Sequence, residues 1–339
     1  MLGIVSYGFY IPKYRIRIEE IARVWGKSPE EVKNSLLIEE KAVASVDEDS
    51  LTMAYEASTM ALDDFKEKEK IKVVFFGSET PPYAVNPAST ILANFLGIEN
   101  NYLANDHQFA CKASTGALIS SLGLIDYGFT DYALVVASDK ATAKTHDALE
   151  YTAASYSVAL LVGKKNSILE ILGFESFSSD TPDFWRREGI RYPSHGGRFT
   201  GKPSYFYHIE KASKSLLEKL KIKPTDFEYA VFHMPNGKFP QEASKSLGFT
   251  KEQILPGLIV SYLGNGYTAS ALMGLVAILQ QAKENDLIFF ASYGSGAGSD
   301  AFVFRVTEKI KDKKQPFKST VKEKSYIDYP TYLKFMGII

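Results

Sequence analysis

Two stretches of the chain share the same order of hydrophobic and polar positions. Residues 71–79 form a short apolar run that ends in a polar residue, and residues 228–236 do the same, so both are predicted to be buried strands. Cys111 and Asn265 each open a helical pattern of small and apolar residues, and the difference between 265 and 111 is 154. The same offset of 154 joins position 79 to position 233. The spacing therefore predicts an internal duplication.

A pair of strand patterns follows each of the two helices. Residues 132–139 and 287–294 are apolar and rich in β-branched or aromatic side chains, as expected of buried strands. A final strand pattern occupies 157–163 and, in the second copy, 300–306, which begins at 300 rather than at the 311 that the offset gives. A strand, a long excursion, a helix and two strands, repeated twice, predict an α/β fold with right-handed crossovers.

The duplication predicts two halves and one shared site. We place the halves at residues 1–166 and 167–339. Equivalent positions of a duplicated fold face each other across the pseudo-twofold axis. Four polar residues, the first two in the first half and the last two in the second, are therefore expected to converge: Glu79, Cys111, His233 and Asn265.

Composition and charge remove several classes of protein. The 39 Lys and Arg residues nearly balance the 40 Asp and Glu residues, which argues against a general binder of nucleic acid or acidic membranes. No apolar run approaches the ~20 residues of a membrane span. Met1 leads straight into a strand pattern without a charged leader segment. We therefore expect a cytoplasmic protein.

The single cysteine limits the chemistry further. One cysteine, Cys111, excludes an internal disulfide framework and a multi-cysteine metal cluster, and the five histidines lack metal-binding spacing, so we predict no metal site. Cys111 stands where an extended stretch turns into a helix, and unpaired N–H groups at a helix start lower the pKa of a thiol. It is either a nucleophile with a lowered pKa or a small buried core residue.

Three other polar residues stand at positions suited to the same chemistry. Glu79 directly follows an apolar strand, and a carboxyl group beside apolar walls has a raised pKa that suits a general base. The alternative is a strand-end residue that faces solvent. His233 ends the equivalent strand, where a neutral imidazole can hydrogen-bond a carbonyl oxygen. Asn265 can anchor a thioester carbonyl, cap the following helix, or do both.

Several loops supply candidate binding groups. Residues 292–300 form a Gly-rich loop after a strand, which can bring backbone N–H groups close to a substrate. A phosphate loop is the competing interpretation, although the common phosphate-loop patterns are missing there. Lys238 and Arg198 lie in loops where cations could meet the phosphates of a bulky anionic carrier, or they are ordinary solvated side chains.

A nucleophilic thiol, a carboxylate base and a histidine in a duplicated α/β fold suit acyl transfer and carbon–carbon bond formation on thioesters. Over essentially its whole length, the chain resembles the 3-hydroxy-3-methylglutaryl-coenzyme A synthases of the thiolase superfamily, in their compact archaeal form. The resemblance is carried by these segments: GIVSYGFYIPKYRI, SET, ACKAST, PDFWRREG, FHMPNGKFP, GNGYTAS and YGSGAGS. It implies a thiolase-like fold with two α/β halves in a layered αβαβα arrangement.

The resemblance implies an activity. The family condenses acetyl-CoA with acetoacetyl-CoA and water, early in the mevalonate pathway for isoprenoids, without a permanently bound cofactor. Cys111 would carry the acetyl group, and Glu79 would deprotonate its methyl group for attack on acetoacetyl-CoA. His233 would contact the acetoacetyl group and help to protonate the new alkoxide. Water would then release 3-hydroxy-3-methylglutaryl-CoA from Cys111.

The resemblance also implies contacts and partners. The backbone N–H groups of Cys111 and Ser295 match oxyanion-stabilising positions, and Asn265 matches a thioester-positioning asparagine. Other residues match positions that contact product or coenzyme A: Thr152, Arg198, Thr200 and Lys238. The superfamily generally forms dimers, so a homodimer or higher oligomer is expected. Archaeal relatives often work in a complex with an acetoacetyl-CoA thiolase and a small zinc- and OB-fold bridging protein.

Two positions depart from the family pattern. Gly266 stands where Thr or Ile is expected, which predicts a looser pocket floor. Ser28 stands where relatives often carry an acidic residue. Ser28 also precedes Pro29 and Glu31 in a sequence typical of a helix start, so it is predicted to be a helix N-cap.

Two other functions stay open. An initiating-type 3-ketoacyl-(acyl-carrier-protein) synthase belongs to the same superfamily but usually works with Cys, His and Asn, so Glu79 and the DFWR segment favour the first assignment. A non-catalytic scaffold that binds coenzyme A or a thiolase partner would not need Cys111, Glu79 and His233 together.

Overall fold

The computed structural model describes residues 2–339. The strands, in chain order, are β1 (Gly3–Tyr10), β2 (Tyr14–Arg17), β3 (Glu40–Val43), β4 (Ile71–Gly77), β5 (Leu103–His107), β6 (Tyr132–Lys140), β7 (Ser155–Gly163), β8 (Leu169–Ser178), β9 (Phe184–Trp185), β10 (Ser194–His195), β11 (Tyr229–Phe232), β12 (Leu287–Ala291), β13 (Gly298–Val306) and β14 (Ser325–Tyr326). The helices are α1 (Ile18–Val24), α2 (Pro29–Leu36), α3 (Ser50–Leu62), α4 (Ala88–Phe95), α5 (Ala113–Tyr127), α6 (Tyr207–Leu220), α7 (Lys238–Leu247), α8 (Lys251–Ile254), α9 (Val260–Leu263), α10 (Ser270–Leu279), α11 (Phe317–Lys322) and α12 (Tyr329–Phe335).

The central sheet joins both predicted halves. Within residues 2–339 its strand order is β11-β12-β13-β8-β1-β7-β6-β4-β5. The pairs β4–β5, β4–β6 and β11–β12 are parallel, as the crossovers through helices require, and the remaining pairs are antiparallel. The joint between the halves is narrow, because β1 and β8 pair only at Gly3–Glu170 and Ile4–Leu169.

Alternate residues of each strand belong to different cores. Val73 and Phe75 of β4 share a core with α5 and α10, whereas Val74 and Phe76 share one with α3 and α4. In β13 the even positions, 302, 304 and 306, share the core with α5 and α10, whereas the odd positions 301 and 303 share one with α6. The two parts of the sheet that meet at the β1–β8 joint therefore lie on opposite sides of α5 and α10, with α3 and α4 outside one part and α6 outside the other. This order of layers, helices, sheet, helices, sheet, helices, confirms the predicted αβαβα arrangement.

The predicted elements around the site are present, with one difference. Residues 71–79 contain β4, and 228–236 contain β11. The helix predicted at Asn265 begins later, because a 3-10 turn, Tyr267–Ala269, precedes α10. Tyr267 has φ 48° there, and its N–H donates to Asn265 Oδ1 at 3.1 Å. The cap on α2 is also as predicted, since Ser28 accepts the N–H of Glu31.

The C-terminal segment packs against the first half of the chain. β14 pairs with β2, and α12 packs beside α1. The buried ammonium of Lys41 donates to the carbonyl of Glu150 and, at 3.2 Å, to the Tyr332 hydroxyl of α12. Tyr329 in turn donates to the Glu150 carboxylate at 2.7 Å. These contacts fix the turn Ala148–Tyr151, which borders the site described next.

Candidate active site

A cavity of about 300 Å³ lies where elements of both halves meet. Its walls come from the end of α2, the turn around Cys111, the turn Ala148–Tyr151, the loop after β10, and the ends of β11 and β12. Six of the residues singled out from the sequence line it: Cys111, Thr152, Thr200, His233, Asn265 and Ser295. Three do not: Glu79, Arg198 and Lys238.

The turn that carries Cys111 is buried and tightly bent. Cys111 is 5% exposed and stands two residues before the first residue of α5. Ala110, just before it, has φ 43°, a backbone conformation that L residues seldom adopt. Burial raises the pKa of the Cys111 thiol well above its usual value, and the neighbouring Glu79 carboxylate raises it further. The lowering of the thiol pKa expected from the helix start is therefore wrong, because desolvation and the nearby Glu79 carboxylate outweigh the effect of the helix.

Glu79 lies against the Cys111 thiol. Burial raises the pKa of the Glu79 carboxyl to about 8, and the negative charge of Asp139 adds to the rise. The Oε1 atom is buried and has no hydrogen-bond partner among the described residues, so it is free to accept a proton. The raised pKa has the direction predicted from the sequence.

Asp139 fixes the strand end that carries Glu79. Its Oδ1 accepts four hydrogen bonds, from the N–H of Glu79 (2.8 Å), the N–H and hydroxyl of Thr80 (2.9 and 2.8 Å) and the hydroxyl of Ser78 (2.8 Å). Its Oδ2 accepts the N–H of Thr268 from the second half at 3.0 Å. Even so, burial raises the pKa of Asp139 to about 6. Asp139 was not among the residues singled out from the sequence, although a polar residue at the end of the buried 132–139 strand was a visible signal.

His233 is neutral in this cavity. It is 1% exposed, and burial lowers the pKa of its imidazole to about 3. Its backbone is held on both sides, because its N–H donates to Ala291 O at 2.8 Å and its carbonyl accepts the Tyr205 hydroxyl at 2.6 Å. The ring atom Nδ1 is buried without a hydrogen-bond partner among residues 2–339. The ring is thus available to a ligand as a neutral donor or acceptor.

Asn265 and Thr152 bind each other across the two halves. The N–H of Asn265 donates to Thr152 O at 2.7 Å, and Asn265 O accepts the N–H of Ala154 at 2.9 Å. Oδ1 of Asn265 is occupied by the N–H of Tyr267. The side-chain NH₂ group is the part of Asn265 that remains for a ligand. Asn265 therefore binds the following turn through its side chain and also lines the cavity.

The floor beneath Asn265 is tightly packed. A Cβ atom on Gly266 would overlap the aromatic ring of Tyr156, which is fully buried and donates from its hydroxyl to Gly264 O at 3.0 Å. The looser floor expected from Gly266 is wrong, because the Tyr156 ring fills the space that a larger side chain would take.

The Gly-rich loop after β12 contributes Ser295. Tyr293 and Ser295 line the cavity, and Gly294 N–H donates to Gly298 O at 2.8 Å to close the loop. In residues 2–339 no hydrogen-bond acceptor is found for the backbone N–H of Ser295 or for that of Cys111. Both amides are therefore available to a ligand in the cavity.

The two predicted cations stand beside the cavity. Arg198 is exposed in the 3-10 turn Gly197–Thr200, whose first and last residues line the cavity. Lys238 is exposed at the first residue of α7, between the lining residues Asn236 and Phe239.

Aromatic residues that the sequence analysis missed form much of the wall. Tyr205, Tyr293 and Phe239 line the cavity, and the ring centroids of Tyr205 and Tyr293 are 5.2 Å apart. The Tyr293 hydroxyl hydrogen-bonds with Ser204 and donates to the buried Asp183 at 3.3 Å. Asp183 belongs to the quoted segment PDFWRREG, but nothing local in the sequence connects it to Tyr293, which lies 110 residues away.

A second depression has a lining rich in arginine. A depression of about 580 Å³ is lined by three arginines, Arg186, Arg187 and Arg191, but not by Cys111, so we place the active site in the smaller cavity.

Within residues 2–339 no group of three His, Cys, Asp or Glu side chains is placed to hold a metal ion. No helix in this range is both long and apolar enough to cross a membrane.

Solved structures share this fold over nearly the whole chain. An HMG-CoA synthase complexed with CoA superposes with a TM-score of 0.88 at 24% identity, covering 98% of this chain and 90% of that one. MvaS in complex with 3-hydroxy-3-methylglutaryl coenzyme A gives 0.89 at 23% identity, with 99% and 91% covered. The chain therefore has the thiolase-like fold of these synthases, as expected from the sequence.

Sequence relatives give the family. The model for the C-terminal region of 3-oxoacyl-[acyl-carrier-protein (ACP)] synthase III matches residues 217–306, which is about a quarter of the chain. The hydroxymethylglutaryl-CoA synthase of Methanosarcina barkeri is 50% identical over 100% of this chain and 99% of its own length. That of Methanocaldococcus jannaschii is 49% identical over 99% and 98%. With half of all positions identical from end to end, this chain belongs to the hydroxymethylglutaryl-CoA synthase family.

Proposed function

We propose that the protein condenses acetyl-CoA with acetoacetyl-CoA and water to give 3-hydroxy-3-methylglutaryl-CoA and CoA, through an acetyl group carried by Cys111. One observation carries this proposal. The only cysteine of the chain borders a cavity with a neutral buried histidine and an asparagine, and it faces a carboxyl group of raised pKa. These groups match a nucleophile, a hydrogen-bonding residue, a carbonyl anchor and a base.

Acetylation comes first. The Cys111 sulfur attacks the thioester carbonyl of acetyl-CoA, the new carbon–sulfur bond forms, and the CoA thiolate leaves. Glu79 accepts the thiol proton, since its carboxyl group lies against the sulfur and burial keeps its pKa near 8. That proton passes to the CoA sulfur, so free CoA departs as a thiol. The backbone N–H groups of Cys111 and Ser295 stabilise the oxyanion of the tetrahedral intermediate.

Condensation then uses the same base. Glu79 removes a proton from the methyl group of acetyl-Cys111, and the carbanion attacks the ketone carbon of acetoacetyl-CoA. His233 is neutral, so it stabilises the growing alkoxide by donating a hydrogen bond rather than by acting as an imidazolium. The proton that Glu79 took from the methyl carbon can return to the alkoxide, which balances the step without an outside acid.

Release and binding involve the remaining residues. Water attacks the thioester on Cys111, with Glu79 as base, and frees the product and the thiol. Asn265 presents its NH₂ group to the thioester carbonyl, while its backbone is fixed by Thr152. Residues of the cavity rim contact coenzyme A: Thr152, Arg198, Thr200 and Lys238. The two cations of this group are exposed, as groups that bind phosphates outside the cavity must be.

The proposal extends to organisation. We infer that residues 1–166 and 167–339 are the two repeats of the fold, and that the protein works in the cytoplasm as a homodimer or higher oligomer. Support for an oligomer comes from β5, which is the terminal strand of the sheet in the described residues and exposes 40% of Leu103. We also propose a complex with an acetoacetyl-CoA thiolase through a zinc- and OB-fold bridging protein, which rests on the family resemblance.

The test is intact mass after incubation with acetyl-CoA alone, followed by addition of acetoacetyl-CoA and identification of the product. Wild-type protein should gain one acetyl group, which disappears as 3-hydroxy-3-methylglutaryl-CoA forms. Cys111→Ala should gain none. Glu79→Ala should still be acetylated, but more slowly because the base for the thiol proton is missing, and it should not condense. Discharge of the acetyl group by malonyl-acyl-carrier protein instead would assign the protein to the ketoacyl synthases. Absence of acetylation in the wild type would favour a scaffold.

A further inference from the structure

A buried lysine directly follows the nucleophile. The side chain of Lys112 is 5% exposed, and its ammonium lies 3.0 Å from each carboxylate oxygen of Asp300, whose side chain is fully buried. The same ammonium lies 3.9 Å from the ring centroid of Phe109, at the start of the Cys111 turn. A buried lysine is costly unless it is paired in this way. The mechanism proposed above gives neither Lys112 nor Asp300 a part.

Asp300 is tied to several segments at once. Its Oδ2 accepts the hydroxyl of Thr115 from α5 at 2.6 Å, and its Oδ1 accepts the hydroxyl of Ser176 from β8 at 2.6 Å. Its backbone carbonyl accepts the N–H of Ser292, at the end of β12, at 2.9 Å. Lys112, Thr115 and Ser176 together occupy all four lone-pair directions of the carboxylate. The carboxylate is therefore held rigidly at the base of the Gly-rich loop.

The Lys112 side chain reaches this point by running along the loop. A Cβ atom on Gly294 would lie 2.8 Å from Lys112 Cγ and 2.6 Å from Phe109 O. A Cβ atom on Gly298 would lie 3.4 Å from Lys112 Cε. The lack of side chains at these two positions leaves the passage that the lysine stem fills. The loop and the Cys111 turn are therefore in van der Waals contact through Lys112.

This contact joins the two halves of the oxyanion site. The N–H of Cys111 belongs to the turn before α5, and the N–H of Ser295 belongs to the loop between β12 and β13. We propose that the Lys112–Asp300 ion pair is a positioning device that sets the distance between these two amides. The inference rests on the proposed function, since it assigns the pair to the acyl-transfer step at Cys111.

The position of the pair gives the physical reason. Lys112 is one residue from Cys111, and Asp300 is anchored to the strand end from which the Ser295 loop starts. Amides that stabilise an oxyanion act only when they are placed to within a fraction of an ångström, and loss of one donor costs roughly 10²- to 10³-fold in rate. If the ion pair only stabilised the fold, its removal would lower Tm but would leave the acetylation rate of the folded protein unchanged.

The test compares the double variant Lys112→Met/Asp300→Asn with wild type. The double change removes both charges together, so it avoids leaving one buried charge unpaired. Acetylation of Cys111 by acetyl-CoA is followed in a single turnover by intact mass, with KM for acetyl-CoA and Tm measured on the same samples. We expect acetylation to slow by roughly 10- to 100-fold, less than the loss of a whole donor, with little change in KM.

The matched control is Glu170→Gln/Arg305→Met. That ion pair joins β8 and β13, with Arg305 Nε donating to Glu170 Oε2 at 2.8 Å, and it has no contact with the Cys111 turn. It should lower Tm without slowing acetylation. If the Lys112/Asp300 variant lowers Tm but acetylates at the wild-type rate, as the control should, the positioning role is refuted.

A second variant keeps the ion pair and disturbs its spacing. In Gly294→Ala the added methyl group must push the loop away from Phe109 and Lys112, so acetylation should again slow while both charges remain. A crystal structure of either variant should show a changed distance between the amide nitrogens of Cys111 and Ser295. Unchanged acetylation in both variants would overturn the inference but leave the proposed function intact. Failure of the wild type to acetylate would overturn the proposed function, and this inference with it.

Discussion

Ser114 and Thr268 hydrogen-bond to each other in both directions, and they are 154 residues apart. The Ser114 N–H donates to the Thr268 hydroxyl at 3.0 Å, and the Thr268 hydroxyl donates to the Ser114 hydroxyl at 2.9 Å. This separation equals the offset between Cys111 and Asn265 in the sequence. Residues related by that offset thus meet face to face at the starts of the two central helices, beside the cavity.

The first prediction concerns Asp139, whose charge helps to keep the pKa of Glu79 near 8. Asp139→Asn removes that charge, so the pKa of Glu79 should fall and more of the base should be ionised at neutral pH. The acidic limb of the pH profile for condensation should move to lower pH, by roughly one unit. The plateau rate should also fall, because an amide cannot replace both carboxylate oxygens toward Ser78, Thr80 and Thr268.

The measurement is discharge of pre-acetylated enzyme by acetoacetyl-CoA across pH. Asp106→Asn is the matched control, because Asp106 also accepts two backbone N–H groups, from Ala88 and Ser89, at the end of the neighbouring strand. Its acidic limb should stay in place. A limb that stays fixed in Asp139→Asn would show that burial alone sets the pKa of Glu79.

The second prediction concerns the reactivity of Cys111. Since burial and Glu79 raise the pKa of its thiol, the free protein should react slowly with iodoacetamide at neutral pH. Above pH 8 the Glu79 carboxyl group is ionised, so Glu79→Gln removes a negative charge there, the thiol pKa should fall, and alkylation at about pH 9 should become faster, by about tenfold for each pKa unit. Rates are read by intact mass, and the protein in denaturant gives the rate of an open thiol. An alkylation rate that Glu79→Gln leaves unchanged would rule out electrostatic coupling between the two groups.

The fold and part of the site could be predicted from local patterns. The strand ends at 79 and 233 and the helix starts near 111 and 265 depend on short-range periodicity, so they are visible in the sequence. The resemblance then pointed to six residues that line the cavity, and also to Glu79, Arg198 and Lys238, which do not line it.

What the sequence did not reveal depends on contacts between distant segments. The raised thiol pKa follows from the approach of Glu79 to Cys111 in three dimensions, whereas the sequence shows only the helix start. The same holds for Lys112 and Asp300, which are 188 residues apart. Gly266 misled for a related reason, because the Tyr156 ring that fills the floor lies more than a hundred residues earlier in the chain.

The third prediction follows from that floor. Gly266→Ala forces a methyl group against the buried Tyr156 ring, and such overpacking costs about 1–3 kcal/mol. The free energy of unfolding should fall by this amount, and kcat should fall as well because Asn265 is the adjacent residue. Gly123→Ala is the control, since a Cβ there meets no atom within 4 Å and lies in α5, where alanine favours the helix. The free energy of unfolding of both variants is measured by denaturant titration. Equal values for the two variants would contradict the packing argument.

The last prediction concerns Lys238, the exposed cation at the start of α7. If it meets a phosphate of coenzyme A, Lys238→Ala should raise KM for acetyl-CoA by about 2- to 5-fold, the effect of an exposed ion pair worth up to ~1 kcal/mol. The rise should shrink as salt is added, because salt screens exposed charges. Lys245→Ala removes an equally exposed lysine from the last turn of the same helix and should leave KM unchanged. Steady-state kinetics at low and high salt make the comparison, and equal KM values for the two variants would place the coenzyme A phosphates elsewhere.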